Sequence, residues 1–115
     1  MDVVDLFELD GHGPLWGIAT EDLNATLLAW EPGAHVAEHV NDERDVLLVV
    51  VSGGGTLLVD GEEAALRSGN ATVIPKGARR SIVDGPAGIR YLTAHRVRGG
   101  LAIRPVAHAS GDARA

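Results

Sequence analysis

Two stretches decide the fold of this chain: residues 33–53 read GAHVAEHVNDERDVLLVVVSG, and residues 69–84 read GNATVIPKGARRSIVD. Each stretch opens on a glycine and contains an apolar run beside a further glycine or a Pro-x-Gly corner. Glycine permits the backbone conformations of tight corners, and proline is tolerated where a strand ends and no ladder N–H is needed. The two stretches therefore predict short strands that change direction at defined positions.

The segments around these stretches have the same character. Short apolar runs, rich in Val, Leu and Ile, alternate with turns that contain Gly, Pro or Asp over most of the chain. Such regular spacing favours an all-β sandwich or barrel. Asp60-Gly61 lies between two of the runs and predicts a two-residue hairpin, and the glycines at residues 53–55 predict a corner turn.

The spacing of the two stretches resembles that of the cupin family, whose motifs run G-x5-H-x-H-x4-E-x6-G and G-x5-P-x-G-x2-H-x3-N. The family's glycines and proline are all present, at Gly33, Gly53, Gly69, Pro75 and Gly77. The resemblance covers residues 25–95. It implies an all-β, cupin-type jelly-roll barrel (a double-stranded β-helix) like the small single-domain bacterial cupins, assembled as a homodimer.

The metal-binding residues of the family are mostly absent. Cupins hold a divalent metal with two His and a Glu of the first motif and a His of the second, and only His39 matches this set. The other three positions hold Asn41, Val46 and Arg80. Valine offers no ligand atom, and arginine keeps its positive charge and repels a cation. Since a catalytic metal normally takes three protein ligands, we expect neither the family's metal nor another cofactor.

A non-standard metal site is the alternative. It would combine His39 with Asp45, His35 or His95, and it implies a metal-dependent oxygenase or isomerase. Strand parity argues against Asp45: if alternate residues from Val46 onward face the interior, Asp45 faces outward unless a β-bulge shifts it. His95 stands beside arginines at a strand end, which favours a surface position.

The barrel interior predicts a binding pocket instead. The candidate ligand-binding residues are His39, Asn41, Arg80 and Tyr91, set among apolar walls. The guanidinium of Arg80 suits a carboxylate or phosphate of a small molecule in a forked hydrogen bond. Alternatively, Arg80 pairs with an acid of the chain itself, for which there are three candidates: Glu31, Asp45 and Asp84.

The sequence identifies no definite catalytic group. A metal-free isomerase with His39 or Tyr91 as the proton-transfer group is one further hypothesis. A structural dimer with a filled barrel is another. The fold does not choose among these hypotheses, because one barrel scaffold supports many chemistries.

Length and charge limit the class of protein. The 115 residues suffice for one domain, which we place at residues 1–104, and the tail 105–115 is predicted to be disordered. The net charge of −6 argues against nucleic-acid binding, and the lack of cysteine excludes thiol chemistry. No apolar run is long enough for a signal peptide or a membrane span, so we expect a cytoplasmic protein without a membrane partner.

Overall fold

Seven strands make up the part of the chain that the structure describes, and two of them are long. The computed structural model describes residues 1–40 and 43–97, which contain no helix and hence none that could cross a membrane. In chain order the strands are β1 (Gly13–Ala19), β2 (Leu23–Trp30), β3 (His35–Val40), β4 (Val46–Val59), β5 (Glu62–Arg67), β6 (Ala71–Ile74) and β7 (Arg79–Arg96). The predicted all-β class is confirmed.

The two long strands, β4 and β7, organise the barrel because each of them runs through both of its layers. Residues 47–50 of β4 pair with residues 91–94 of β7, and residues 55–59 pair with residues 80–84. Strands β2, β1 and β6 extend the ladder around the first half of this ribbon, and β3 and β5 extend it around the second. All seven strands are hydrogen-bonded into one sheet, and the antiparallel ribbon contributes to both of its layers.

Glycines occupy the bend between the two halves of the ribbon. A Cβ atom on Gly53 would collide with the backbone of Gly88, and one on Gly54 would lie 2.5 Å from the carbonyl oxygen of Leu66. The neighbouring backbones therefore approach more closely than any side chain permits. The register of the β4–β7 pair also shifts here, as it does at β-bulges that bend a strand.

The corner turn predicted at residues 53–55 is wrong, because β4 continues through these glycines as a bent strand. Strand β7 likewise continues through Asp84-Gly85-Pro86. The backbone stays extended because it keeps paired neighbours on both sides of the bend. A cluster of glycines indicates a change of direction, but it does not distinguish a chain reversal from a bend within a paired strand.

The hairpin predicted at Asp60-Gly61 is confirmed. Val59 pairs with Glu62 across the two-residue loop, and φ is 50° for Asp60 and 84° for Gly61. Positive φ at both residues is typical of a type I′ turn, whose twist matches that of the strands it joins. The carboxylate of Asp60 also accepts a 2.9 Å hydrogen bond from the backbone N–H of Arg79, which ties the hairpin to the start of β7.

Alternate residues from both halves of the ribbon fill the interior. Leu48 and Val50 belong to the first half of β4, whereas Leu57 and Ile82 belong to the second half of the ribbon. All four are at most 3% exposed, and they lie in one buried cluster. Since every second side chain of a strand points to the same face, this alternation defines the inner face of each strand. The two layers of the sheet therefore share a single core.

The outer face of the sheet carries apolar side chains where β4 pairs with β6. Leu47 and Val73 are register partners in β4 and β6, and they are 41% and 56% exposed. The N-terminal segment is tied to the same sheet by Arg90, whose guanidinium donates hydrogen bonds to the carbonyl oxygens of Leu6 (2.7 Å) and Leu9 (2.8 Å). Part of the outer face is thus left with apolar side chains in contact with solvent.

Because the backbones lie so close together at the bend, adding a single methyl group there should strongly destabilise the protein. Gly53→Ala should lower the free energy of unfolding by about 3 kcal/mol or more, because the new Cβ meets the backbone of Gly88 and φ is +74°. Gly61→Ala is the matched control: φ is +84°, but nothing lies within 4 Å of the new Cβ. That variant should lose only about 1–2 kcal/mol. Urea unfolding of both variants checks this, and equal losses would contradict the close backbone contact.

Candidate functional site

Arg80 lies inside the barrel. The side chain of Arg80 is only 2% exposed. Ala78 and Ile82, two positions before and after it, are buried as well, whereas the adjacent Arg79 is exposed. Arg80 therefore shares the inner face of β7 with Ile82, a member of the core cluster. The structure thus places a permanently charged guanidinium within an apolar interior.

The first motif reaches Arg80 through strand β3. His39 is the register partner of Arg80 in the β3–β7 ladder, and Val59 of β4 is its partner on the other side. The fold thus brings the one matching histidine and the substituted arginine to adjacent positions of one sheet. Asn41 lies outside the described residues, so its role in the site stays a prediction.

Two of the three acids that we considered as partners of Arg80 are engaged on the surface. The carboxylate of Glu31 lies 3.2 Å from Nε2 of His12, and both side chains are exposed. Asp45 is exposed, in agreement with strand parity, and it accepts a 2.9 Å hydrogen bond from the backbone N–H of Lys76. Neither acid neutralises the buried guanidinium.

The third acid, Asp84, is buried but is not paired with Arg80. It is 7% exposed, and it follows Arg80 and Ile82 on the inner face of β7. Its backbone N–H donates a 3.3 Å hydrogen bond to the carbonyl oxygen of Ala34. Neither side-chain oxygen has a hydrogen-bond partner within residues 1–40 and 43–97. Buried polar groups are normally hydrogen-bonded, so a buried carboxylate without a hydrogen-bond donor is unusual.

Tyr91 is part of the core cluster and is fully buried. It lies in the ladder between Leu28 of β2 and Val50 of β4. Its hydroxyl oxygen accepts a 3.1 Å hydrogen bond from the indole N–H of Trp30, which satisfies a polar atom that burial would otherwise leave without water. Tyr91 therefore has a structural role, and its predicted contact with a ligand stays a prediction.

His95 lies at the end of β7, next to its last residue, and is half-buried. Its Nδ1 lies 3.0 Å from the carbonyl oxygen of Arg96, and since a carbonyl only accepts, we assign the ring proton to Nδ1. Nε2 is buried and lacks a partner among the described residues. His95 continues the alternation of the buried residues Tyr91 and Thr93, a signal that the neighbouring arginines obscured.

Among residues 1–34, 40 and 43–97 the structure brings no three metal-ligating side chains together. Asp45 is directed outward and bound to the N–H of Lys76, which removes it from a site built around His39. The remaining histidine of the first motif, His35, is the register partner of Val83 in β3.

Comparison with solved structures identifies the fold. No model of a protein family and no curated protein matches the chain. Among solved structures, an RmlC-like cupin from Desulfovibrio desulfuricans superposes with a TM-score of 0.72 at 17% sequence identity, covering 84% of this chain and 96% of that chain. The chain has the cupin fold. The fold that the motif spacing predicted is therefore confirmed.

Other solved structures that superpose on this chain have different names. KdgF from a Halomonas species superposes with a TM-score of 0.68 at 24% identity, covering 76% of this chain and 82% of that chain. Salicylate 1,2-dioxygenase from Pseudoaminobacter salicylatoxidans, in complex with gentisate, superposes with a TM-score of 0.61 at 19% identity. That match covers 65% of this chain and 20% of the dioxygenase. Likeness at this level of identity extends to the fold, and activity has to be argued from the site.

The hydrogen bond between Trp30 and Tyr91 can be tested by a double-mutant cycle. Tyr91→Phe should lower the free energy of unfolding by about 1–2 kcal/mol, because the buried indole N–H loses its acceptor. After Trp30→Phe the same change should have a smaller effect, with a coupling energy of about 1 kcal/mol measured by urea unfolding. Additive effects of the two substitutions would show that the bond does not stabilise the barrel.

Proposed function

We propose that this cupin-fold protein binds a small anionic molecule inside its barrel, with Arg80 as the anchor. The observation that carries the proposal is the burial of Arg80, which is 2% exposed on the inner face of β7. A pocket with apolar walls and a few polar anchors is the usual form of a small-molecule site. The interior around it is apolar: Leu48, Val50 and Ile82 belong to the core cluster and are at most 1% exposed.

Arginine at this position suits an anion better than a metal. Its guanidinium keeps a positive charge at any working pH and presents paired N–H donors that match a carboxylate or phosphate. It replaces the histidine that completes the metal site in cupins. A cation placed beside it would be repelled, whereas a carboxylate would be bound by two parallel hydrogen bonds.

His39 and Asn41 are proposed to orient the bound molecule. His39 lies opposite Arg80 in the β3–β7 ladder, so a ligand group held by Arg80 is near the backbone of β3. Tyr91 is assigned the part of a wall residue, because its hydroxyl is already bonded to Trp30.

A second candidate function is that of a metal-dependent cupin enzyme. It is favoured by the fold similarity to a salicylate 1,2-dioxygenase and by the imidazole of His95. A histidine whose Nδ1 faces a backbone carbonyl and whose Nε2 is free has the arrangement common among metal ligands.

Metal content separates the two candidates. We expect elemental mass spectrometry of protein purified without a His tag or chelator to find far less than one transition metal per chain. Near-stoichiometric iron, manganese, nickel or zinc that is lost on His39→Ala or His95→Ala would instead establish the metal-dependent enzyme.

Substitution of Arg80 tests the anion site. A set of small acids, with gentisate and inorganic phosphate among the first, is screened for a rise in melting temperature. A bound acid at about one hundred times its Kd stabilises the protein by about 2.7 kcal/mol. Arg80→Gln should abolish this stabilisation, whereas Arg79→Gln, at the adjacent exposed residue, should keep it. Stabilisation that survives Arg80→Gln in a folded protein would overturn the proposal.

The apolar outer face supports a second element of the proposal, a homodimer. Leu47 and Val73 are exposed neighbours on β4 and β6, and contiguous apolar surface of this kind is usually covered by a partner. We expect sedimentation velocity to give a dimer for the wild-type protein and a monomer for Leu47→Glu combined with Val73→Glu. Phe7→Glu, also at an exposed apolar side chain, is the control and should remain dimeric.

A further inference from the structure

A small pocket lies at the bend of the β4–β7 ribbon, on the outside of the barrel. Its volume is about 190 Å³, and it is lined by residues 11–12, 29–31, 52–53, 87 and 89–90. Arg90 alternates with Ile89 and Tyr91, which belong to the core cluster, so the side chain of Arg90 leaves the sheet on its outer face. The pocket is therefore separate from the interior that contains Arg80.

The same close backbone contacts that bend the ribbon also shape this pocket. Gly53, one of the lining residues, packs against the backbone of Gly88. A Cβ atom on Gly88 would in turn lie 2.6 Å from the carbonyl oxygen of Trp30, a second lining residue. Strands β2, β4 and β7 thus meet here without side chains between them. Much of the pocket is built on this paired backbone, and small-molecule sites are usually preformed in this way.

The pocket contains a base and an acid, and each is positioned by another group. The guanidinium of Arg90 donates hydrogen bonds to the carbonyl oxygens of Leu6 (2.7 Å) and Leu9 (2.8 Å). The carboxylate of Glu31 lies 3.2 Å from Nε2 of His12. A guanidinium has more N–H donors than two bonds use, and a carboxylate has more acceptor positions than one contact uses. Both groups are thus held in place and can still bind a ligand.

Charges of both signs in one small pocket disfavour a simple ion. An anion attracted by Arg90 is repelled by Glu31, and a cation meets the reverse situation. A neutral molecule with several hydroxyls avoids this repulsion. Each hydroxyl both donates and accepts, so neighbouring hydroxyls can donate to Glu31 while they accept from Arg90 or from the hydroxyl of Ser52. Hydrogen bonds to the two charged groups are stronger than those between neutral groups.

We propose that this pocket binds a single sugar ring or a ring polyol of similar size, with Glu31, Arg90 and Ser52 as its hydrogen-bonding residues. Trp30 and Ile89 add apolar surface for the C–H groups of the ring. The volume of 190 Å³ is below the roughly 300–1,000 Å³ of common ligand pockets, which limits the ligand to about one ring. This inference goes beyond the anion site in the barrel and does not depend on it.

The test is a titration that also locates the ligand. The probes are myo-inositol, D-glucose, D-galactose and D-mannose at millimolar concentrations, and binding is followed through the backbone amide signals in nitrogen–proton correlation spectra. Three comparison compounds separate the ligand classes: cyclohexanol lacks the neighbouring hydroxyls, alanine is a zwitterion, and inorganic phosphate is an anion. We expect a polyol to give saturable shifts at the amides of Gly11, Gly53 and Ala87, and cyclohexanol to give none.

Substitutions assign the binding to the pocket. Glu31→Gln should weaken the polyol by about tenfold, because it removes a charged acceptor, and Ser52→Ala should weaken it by about threefold. Glu31 is exposed, so its variant should fold normally. Glu21 is an exposed acid outside the pocket, and Glu21→Gln controls for the loss of one negative charge. Glu21→Gln and Arg80→Gln should both retain the wild-type affinity for the polyol.

Each other outcome overturns a defined part of the inference. Polyol binding that survives both Glu31→Gln and Ser52→Ala unchanged overturns the site. Tighter binding of alanine or phosphate than of any polyol overturns the ligand class. Polyol shifts that disappear in Arg80→Gln would place the molecule inside the barrel, and a lack of saturable shifts with all the polyols overturns the proposal as a whole.

Discussion

The close contact of two bent backbones is the constraint on which the rest of the structure depends. At the bend of the β4–β7 ribbon, Gly53 packs against the backbone of Gly88, at a distance that leaves no room for a Cβ atom. This contact lets one continuous ribbon enter both layers of the sheet, so that side chains of its two halves meet in a common core. The interior that contains Arg80 and Asp84 exists because of this bend.

The interior formed in this way is chemically unusual. It is filled mainly by Leu, Val and Ile, yet the inner face of β7 also carries a guanidinium and a carboxylate that do not pair with each other. Apolar residues in their place would pack at least as well, because buried charges seldom add stability. Proteins commonly keep such groups where binding requires them, at some loss of stability. We therefore interpret these charges in terms of a ligand.

The sequence predicted some parts of this site better than others, for physical reasons. Motif spacing placed Arg80 among the candidate site residues, but only the structure decided that its side chain lies inside the barrel. The bend at residues 53–55 was not predicted, because turn-forming residues do not show whether a strand stays hydrogen-bonded to its neighbouring strands. The half-buried position of His95 at the end of β7 became visible only in the structure. Asp84 was considered only as a partner of Arg80.

The sequence alone determined the all-β class and the hairpin at Asp60-Gly61, because glycine, proline and apolar alternation restrict the backbone locally. The cupin fold followed from the resemblance of the motif spacing to that family. Only the tertiary structure decided which polar groups are left unsatisfied. Pairing depends on where side chains distant in sequence end up: Glu31 lies beside His12, Asp45 binds the N–H of Lys76, and Asp84 meets no donor in the described residues. The distances between these side chains are set by the way the β4–β7 ribbon folds, and the composition of the sequence does not reveal them.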